Sequence, residues 1–541
     1  MVDKLHSLLS TGFFPEVVPP CFSAIKLADG TIKYSNELDG LRWTGKHTTK
    51  PAPYSSTKRN GHRRQFATCH PASYFFICRF IEDNWGSLED HFKKSKISLS
   101  TPNFNEGPLV VRPISFTPFG ELDKTVHRKI LYSPFLLRAD VAQFFPSIYT
   151  HSIPWALHGK ESSKNDFDSK SSSLPFNELD FQVRRAQDGQ TRGVLIGPDA
   201  HRIIAEAVIT AADIKFQTLS GDKIIGGVRH VDDYYLGVSD EADAALVLSH
   251  LRESLAEFEL FANDEKTKII RTDQPSDDSW PSQLRTLTSN VEIVESGEAI
   301  RNVVEITISL IKSSGSQSPL KLLLRELDRK NISESDHFDI LETYLMRFIY
   351  HFSHAIDYIC LVMAKRAAIA LSFDKNSWET IINFNLKRFA SYRYHHECAW
   401  LLWLSHQLDI YLSDDVISQI ERTENPHLIS IIVSLYANNK IKIKRNFELP
   451  SSDTGSQASW MVQLELRKYD IIKQKFSGPY GSYLDKISDE KIGIIDLNND
   501  LERLSSSDHS AIESSRWGYE AFDQDKIRNI FESHPSSIDD Y

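Results

Sequence analysis

GGVRHVDDYYLGV, residues 226–238, reads as two short strands around an acidic turn. Asp-Asp pairs stand at 232–233, 277–278, 414–415 and 539–540, and the first alone lies between two β-like apolar runs. Adjacent carboxylates repel each other, and a divalent cation relieves the repulsion. An exposed hairpin turn, where Asp is common, is the competing reading. Asp140 sharpens the choice. It lies in the apolar, strand-like run LYSPFLLRADV, residues 131–141, and the chain then enters VAQFFPSIY. A strand-end carboxylate plus an acidic hairpin suits two-metal nucleotidyl transfer. There, shared carboxylates hold two hard cations. One activates a 3′-hydroxyl and the other stabilises the leaving pyrophosphate.

Composition bounds the rest. The chain has 541 residues with 62 basic and 73 acidic side chains, a net charge of −11, which excludes a uniformly basic nucleic-acid coat. Residues 1–150 nevertheless hold 19 basic against 13 acidic residues, a basic front that fits an anionic partner at one end. The 5 cysteines are odd in number and contain no CxxC, against a disulfide framework and against a Cys-rich zinc site. The apolar stretch 358–364 is far short of the roughly 20 residues of a membrane span. No signal-peptide pattern opens the chain. The expectation is a cytoplasmic protein.

Along the chain, residues 73–90 read as helical and 161–173 as a polar loop. Gly197-Pro198 opens a helix to about Phe216, since proline suits a first helical turn. Residues 244–261 read as an amphipathic helix and 271–282 as a polar linker. Leu341, Leu345, Phe348, Phe352, Ile356, Ile359 and Met363 recur at steps of three and four, one helical stripe of packed core. Further helices are expected around 397–412, 427–437 and 458–475. The change of texture places a domain boundary near residue 300. Adjacent residues of a helix point about 100° apart, so His395, His396, Glu397 and Cys398 are not read as a metal site.

Four segments carry a family resemblance. FFPSIYTHSIPWALHGK (144–160) after Asp140, TRGVLIGPDAHRIIAEAVI (191–209), RHVDDYYLGV (229–238) and FELFANDEKTKII (258–270) resemble motifs A, B, C and D of bacterial reverse transcriptases, in that order. The closest likeness is to the abortive-infection group, which acts against phage. The resemblance covers residues 55–290, and the C-terminal half more loosely. Departures are His230 where motif C has Tyr, Ile196 where motif B has Gln, and Glu259 where motif D has Gly. Ile196 lacks the amide that meets nucleotide and template, which fits relatives that extend DNA from their own tyrosine without a template.

The resemblance implies an α+β right-hand polymerase. Residues 1–299 would form helical fingers and a ferredoxin-like palm, and residues 300–541 an all-helical, HEAT-like domain. It implies two Mg²⁺ on Asp140, Asp232 and Asp233, with Lys266 near the leaving pyrophosphate. Phe145 would block a 2′-hydroxyl, while Gly197 and Pro198 border the nucleotide. The basic cluster Lys58, Arg59, Arg63 and Arg64 suits triphosphate binding, because guanidinium groups pair with phosphate. The implied partners are dNTPs, a single-stranded DNA product, covalently attached if protein-primed, or an RNA template if templated. A homo-oligomer is also implied, and no membrane. The priming tyrosine is unknown; Tyr34, Tyr54, Tyr480, Tyr483 and Tyr541 lie in irregular-looking segments. A non-catalytic nucleic-acid-binding protein is the alternative from another class.

Overall fold

The computed structural model describes residues 3–44, 47–105, 112–115, 119–273, 280–289, 291–441, 447 and 454–499. Its strands are β1 (Ala52–Thr57), β2 (Arg63–Thr68), β3 (Asn103–Phe104), β4 (Ile114–Ser115), β5 (Phe135–Asp140), β6 (Gly226–His230), β7 (Asp233–Val238) and β8 (Lys268–Arg271). Four of them form one antiparallel sheet in the order β6-β7-β5-β8. Helix Asp199–Ser220 lies between β5 and β6, and helix Glu241–Glu257 between β7 and β8. That is β-α-β-β-α-β connectivity of the ferredoxin-like kind.

Side-chain alternation explains the layers. Leu137, Ala139, Tyr234, Leu236 and Val238 are fully buried on one face, within the main core. The long helices pack on each other, and Glu241–Glu257 packs on β5 and β7. Val228 and Tyr235 face the other side and form a smaller core with Leu122 and Val126 of helix Phe119–Lys129 and with Ile130 just after it. Asp140 and Asp233 share the parity of Tyr235. They therefore stand on that second face, at the end of the sheet that the helix does not cover.

The expected strand over 131–141 narrows to β5, and residues 131–132 form a turn after helix Phe119–Lys129. The expected loop 161–173 starts as helix Lys160–Asn165. The stripe from Leu341 to Met363 belongs to two helices, Phe338–His351 and Ile356–Ala368. A 3-10 turn, Ser353–Ala355, divides them. Ser353 and His354 leave the helix because each bonds Thr57 of β1, at 3.3 and 2.9 Å.

Among the described residues every strand ends before residue 272, and helices follow. His395–Gln407 is their centre. It packs on helices Ile356–Ala368, Lys375–Ser391 and Pro426–Ala437 and on β1. Trp400 to Leu404 of this helix are completely buried, so it has no polar face, as a helix enclosed on all sides requires. The position near residue 300 falls inside helix Gly297–Ser314, and one hydrophobic core runs from Leu5 to Leu497. The late residues close onto the early ones. Ser23 N–H donates to Ile494 O, Asp496 N–H to Cys21 O and Trp400 Nε1 to Val17 O.

Candidate active site

β5 and β7 pair so that Asp140 lies directly opposite Asp233. Asp232 occupies the two-residue turn from β6, and its carbonyl accepts from Val141 N–H at 3.1 Å. Three carboxylates from two neighbouring strands thus meet at one sheet end. The charge they share is visible in their titration. Asp232 is pushed from its ordinary 3.8 up to about 7, first by burial, then by Asp233 and Asp140. Asp233 is raised by burial and by Asp140, while Arg138 and Lys266 pull it down.

The turn is held in an unusual shape. Val231 has φ 57°, a left-handed conformation that a β-branched side chain rarely adopts. Its N–H donates to Ser100 Oγ at 2.7 Å and its carbonyl accepts from Arg229 Nη1 at 2.9 Å. Arg229 is itself completely buried. It pairs with Glu206 and Asp213 of helix Asp199–Ser220, each at 2.7 Å. Ser98, Ser95 and Tyr234 add hydroxyl donors to those two acids. A buried pair of this kind is costly unless every group is satisfied, and here the network fastens the acidic turn to the helix behind it. Sequence reading missed Arg229, Glu206 and Asp213, and the clue available was an arginine in the middle of an apolar strand.

Lys266 reaches the same cluster. Its Nζ lies 2.7 Å from Asp140 Oδ2, and Asn263 Nδ2 donates to Asp140 Oδ1 at 3.1 Å. Among the described residues no group of three His, Cys, Asp or Glu side chains stands close enough together to hold a metal ion. The chemistry of the three carboxylates, hard oxygens carrying more negative charge than Lys266 offsets, fits hard divalent cations.

The β1–β2 hairpin lies over this end of the sheet. Lys58 is lowered by partial burial and by the positive charges of Arg64 and Lys266, with Asp232 and Asp140 acting against them. Arg59 acts on Asp233 in turn. Lys58 and Arg59 therefore lie within the field of the carboxylates, Arg64 stands near Lys58, and all three are exposed. Arg63 requires a correction. Neighbours on a strand point to opposite faces, and Arg63 turns away to buried Glu397, at 2.6 Å, to Ser55 O and over the Tyr394 ring. It is a fastening between hairpin and helical layer. His396, beside Glu397, is hydrogen-bonded to Tyr54, and His396, Glu397 and Cys398 are all buried, so these residues are packing.

Phe145 lies in the short helix Phe144–Ser147, half-buried, with its carbonyl bonded to Val194 N–H at 2.9 Å. Gly193 N–H donates to Ile148 O at 2.7 Å, so motifs A and B run side by side. Gly197 and Pro198 are buried and offer no surface to a ligand. A Cβ on Gly197 would meet Pro15 Cγ at 2.6 Å, which explains the glycine by packing. Ile196 is half-buried, and its carbonyl accepts from Ala67 N–H of β2 at 3.0 Å. Among the tyrosines, Tyr54, Tyr480 and Tyr483 are buried and hydrogen-bonded to His396, Arg185 and Thr31, so none stands on a mobile segment. Tyr34 is bound to Glu490, and Tyr541 lies outside the described residues. No helix among the described residues is long and apolar enough to cross a membrane.

No family model and no curated relative matches this chain. Among solved structures it is similar to Candida albicans telomerase in complex with a TWJ fragment of telomeric RNA, at 15% identity over 67% of each chain and a TM-score of 0.30. It is also similar to apo telomerase of Candida tropicalis, at 13% identity over 66% of this chain and 69% of that one, with a TM-score of 0.31. A likeness of that size establishes neither family nor activity, and the site is read from its own residues.

Proposed function

We propose that this protein is a reverse-transcriptase-like nucleotidyltransferase that adds dNTPs to a hydroxyl primer. The observation that carries the reading is the meeting of Asp140, Asp232 and Asp233 at one sheet end, where burial and then the neighbouring carboxylates raise Asp232. Asp140, Asp232 and Asp233 would hold two Mg²⁺, which when bound lower the pKa of the attacking hydroxyl and offset charge on the leaving pyrophosphate. The protein's own groups do the rest. Arg64, Arg59 and Lys58 draw the triphosphate toward the carboxylates. Phe145 limits space at the sugar, so a 2′-hydroxyl is refused. Lys266, paired with Asp140, holds a proton close to the reacting phosphates and can pass it to the departing one.

The resemblance of the motifs supports a role in antiphage abortive-infection defence, and Ile196 in place of the motif B glutamine favours untemplated, protein-primed synthesis. The test is to incubate the pure protein with labelled dNTPs and Mg²⁺, without nucleic acid. A nuclease-sensitive upward gel shift supports the whole reading. Synthesis that begins only on added RNA or DNA ends keeps the polymerase and removes protein priming. No incorporation under any condition refutes the polymerase.

A further inference from the structure

The helical layer carries a surface that the reaction above does not use. Three large rings stand open to solvent there: Tyr350 at 44%, Phe384 at 56% and Tyr392 at 57% exposure. Tyr350 ends helix Phe338–His351, and Phe384 lies in helix Lys375–Ser391. The two rings stack across the helices, 6.2 Å apart and 23° from parallel. Arg388, one turn beyond Phe384, holds its guanidinium 4.1 Å over Tyr350 and 5.9 Å from the centre of Tyr392. A hydrogen bond of 2.9 Å from its Nη1 to Tyr350 O keeps it there. Tyr392 then meets Tyr394 at 5.5 Å, and Arg63 lies 4.1 Å over Tyr394. The row ends on the β1–β2 hairpin, whose opposite face and tip carry Arg64, Arg59 and Lys58.

Single exposed rings are ordinary on a soluble protein. Two ring pairs, 6.2 and 5.5 Å apart within each pair and joined by the Arg388 guanidinium, are a different object. Its acidic neighbours are engaged, Asp415 with Lys387 and Glu305 with the Tyr344 hydroxyl. Exposed Arg347 and Arg393, with Arg388, add positive charge along the row. Flat apolar faces alternating with positive charge match unstacked bases on a phosphate chain. A duplex hides its bases and gains nothing from the rings.

We propose that Tyr350, Phe384, Arg388 and Tyr392 form a stacking track for single-stranded nucleic acid, leading around the hairpin to the active site. The direction of that path rests on the polymerase reading; the binding itself does not. The track is sequence-tolerant, because every base offers a π-face.

The test is binding without turnover. The full-length protein, in EDTA, is titrated against fluorescein-labelled oligothymidylate and oligouridylate of about 20 nucleotides, followed by anisotropy. The combined variant Tyr350→Ala, Phe384→Ala, Tyr392→Ala is expected to bind at least one of them about tenfold more weakly or worse. Tyr350→Phe with Tyr392→Phe keeps the affinity. Phe384→Asp, a single exposed change, weakens it through repulsion of phosphate should the triple variant fold poorly. Loss for the DNA probe alone assigns the track to product, and loss for the RNA probe alone assigns it to a template. Unchanged affinity in a folded triple variant overturns the proposal. So does a triple variant that falls from oligomer to monomer by light scattering while still binding both probes, since the rings then serve a second copy. Asp232→Asn should bind as the wild type does, so failure of the track and failure of the polymerase appear in different measurements.

Discussion

Replacing Asp232 with Asn should stabilise the metal-free protein while abolishing its activity. Burial and two neighbouring carboxylates raise Asp232 from 3.8 to about 7 in the fold. In the unfolded chain it keeps an ordinary value. Between those two values the folded state holds a proton that the unfolded state has released. Stability therefore falls as pH rises from about 4 to about 7 and is flat above. At about 1.4 kcal/mol per pH unit the full interval is worth about 4 kcal/mol. Solvent reaches Asp232, and the charge is shared with its neighbours, so roughly half of that, about 2 kcal/mol, is the expected effect. Asparagine keeps the shape without the charge. In EDTA the variant should match wild type near pH 4.5 and exceed it by about 2 kcal/mol at pH 8, measured by urea unfolding. Millimolar Mg²⁺ should stabilise the wild type and leave the variant unmoved. Nucleotide incorporation should fall by orders of magnitude. A variant that in EDTA at pH 8 is no more stable than wild type would refute the idea that the three carboxylates repel one another uncompensated.

Other outcomes follow from the same geometry. Phe145→Ala should lower the preference for dNTP over rNTP about tenfold or more, read from competing single-nucleotide additions; an unchanged preference would place the sugar elsewhere. Arg229→Met strands Glu206 and Asp213 without their partner and should cost about 3–5 kcal/mol, seen as a lowered unfolding midpoint. Arg63→Ala leaves Glu397 buried and unpaired and should destabilise by about 3 kcal/mol, whereas Arg64→Ala should leave stability alone and raise the KM for dNTP. Changing Tyr54, Tyr480 or Tyr483 to Phe should not abolish covalent labelling of the protein by dNTPs, because each hydroxyl is buried.

The carboxylate hairpin was legible because its signal is local: two strands and a turn within thirteen residues. The long helix after Pro198 was equally plain from its proline, and the next was legible from its period, although it runs over Glu241–Glu257 and not over 244–261. What escaped reading lies in pairings distant along the chain. Arg229 meets partners 16 and 23 residues away, and nothing in the adjacent sequence announces them. Arg63 was grouped with Arg64 as one basic cluster, although strand alternation already sends neighbours to opposite faces. Its destination, Glu397, is 334 residues on. The single stripe drawn from Leu341 to Met363 failed because a periodic pattern continues across a break. Ser353 and His354 interrupt the helix to reach a strand that the period cannot see.

The contacts between residues 17–23 and 400–496 also govern the order in which this protein can assemble. Both strands that carry the aspartates are synthesised in the first half of the chain. Their surroundings are not complete until the segment carrying Ile494 and Asp496 has arrived to close on Ser23 and Cys21. Pairings of such sequence separation make folding slow, because the loop entropy is lost before the contacts form. At about 5–20 residues per second the opening helices wait roughly 25 to 100 seconds for their partners. In that interval Phe13 and Phe22, which meet Trp460 and His427 in the finished protein, have no late segment to cover them. The sheet end that carries the three aspartates, by contrast, is held by residues between 98 and 266, so it can form before the helical layer has been made.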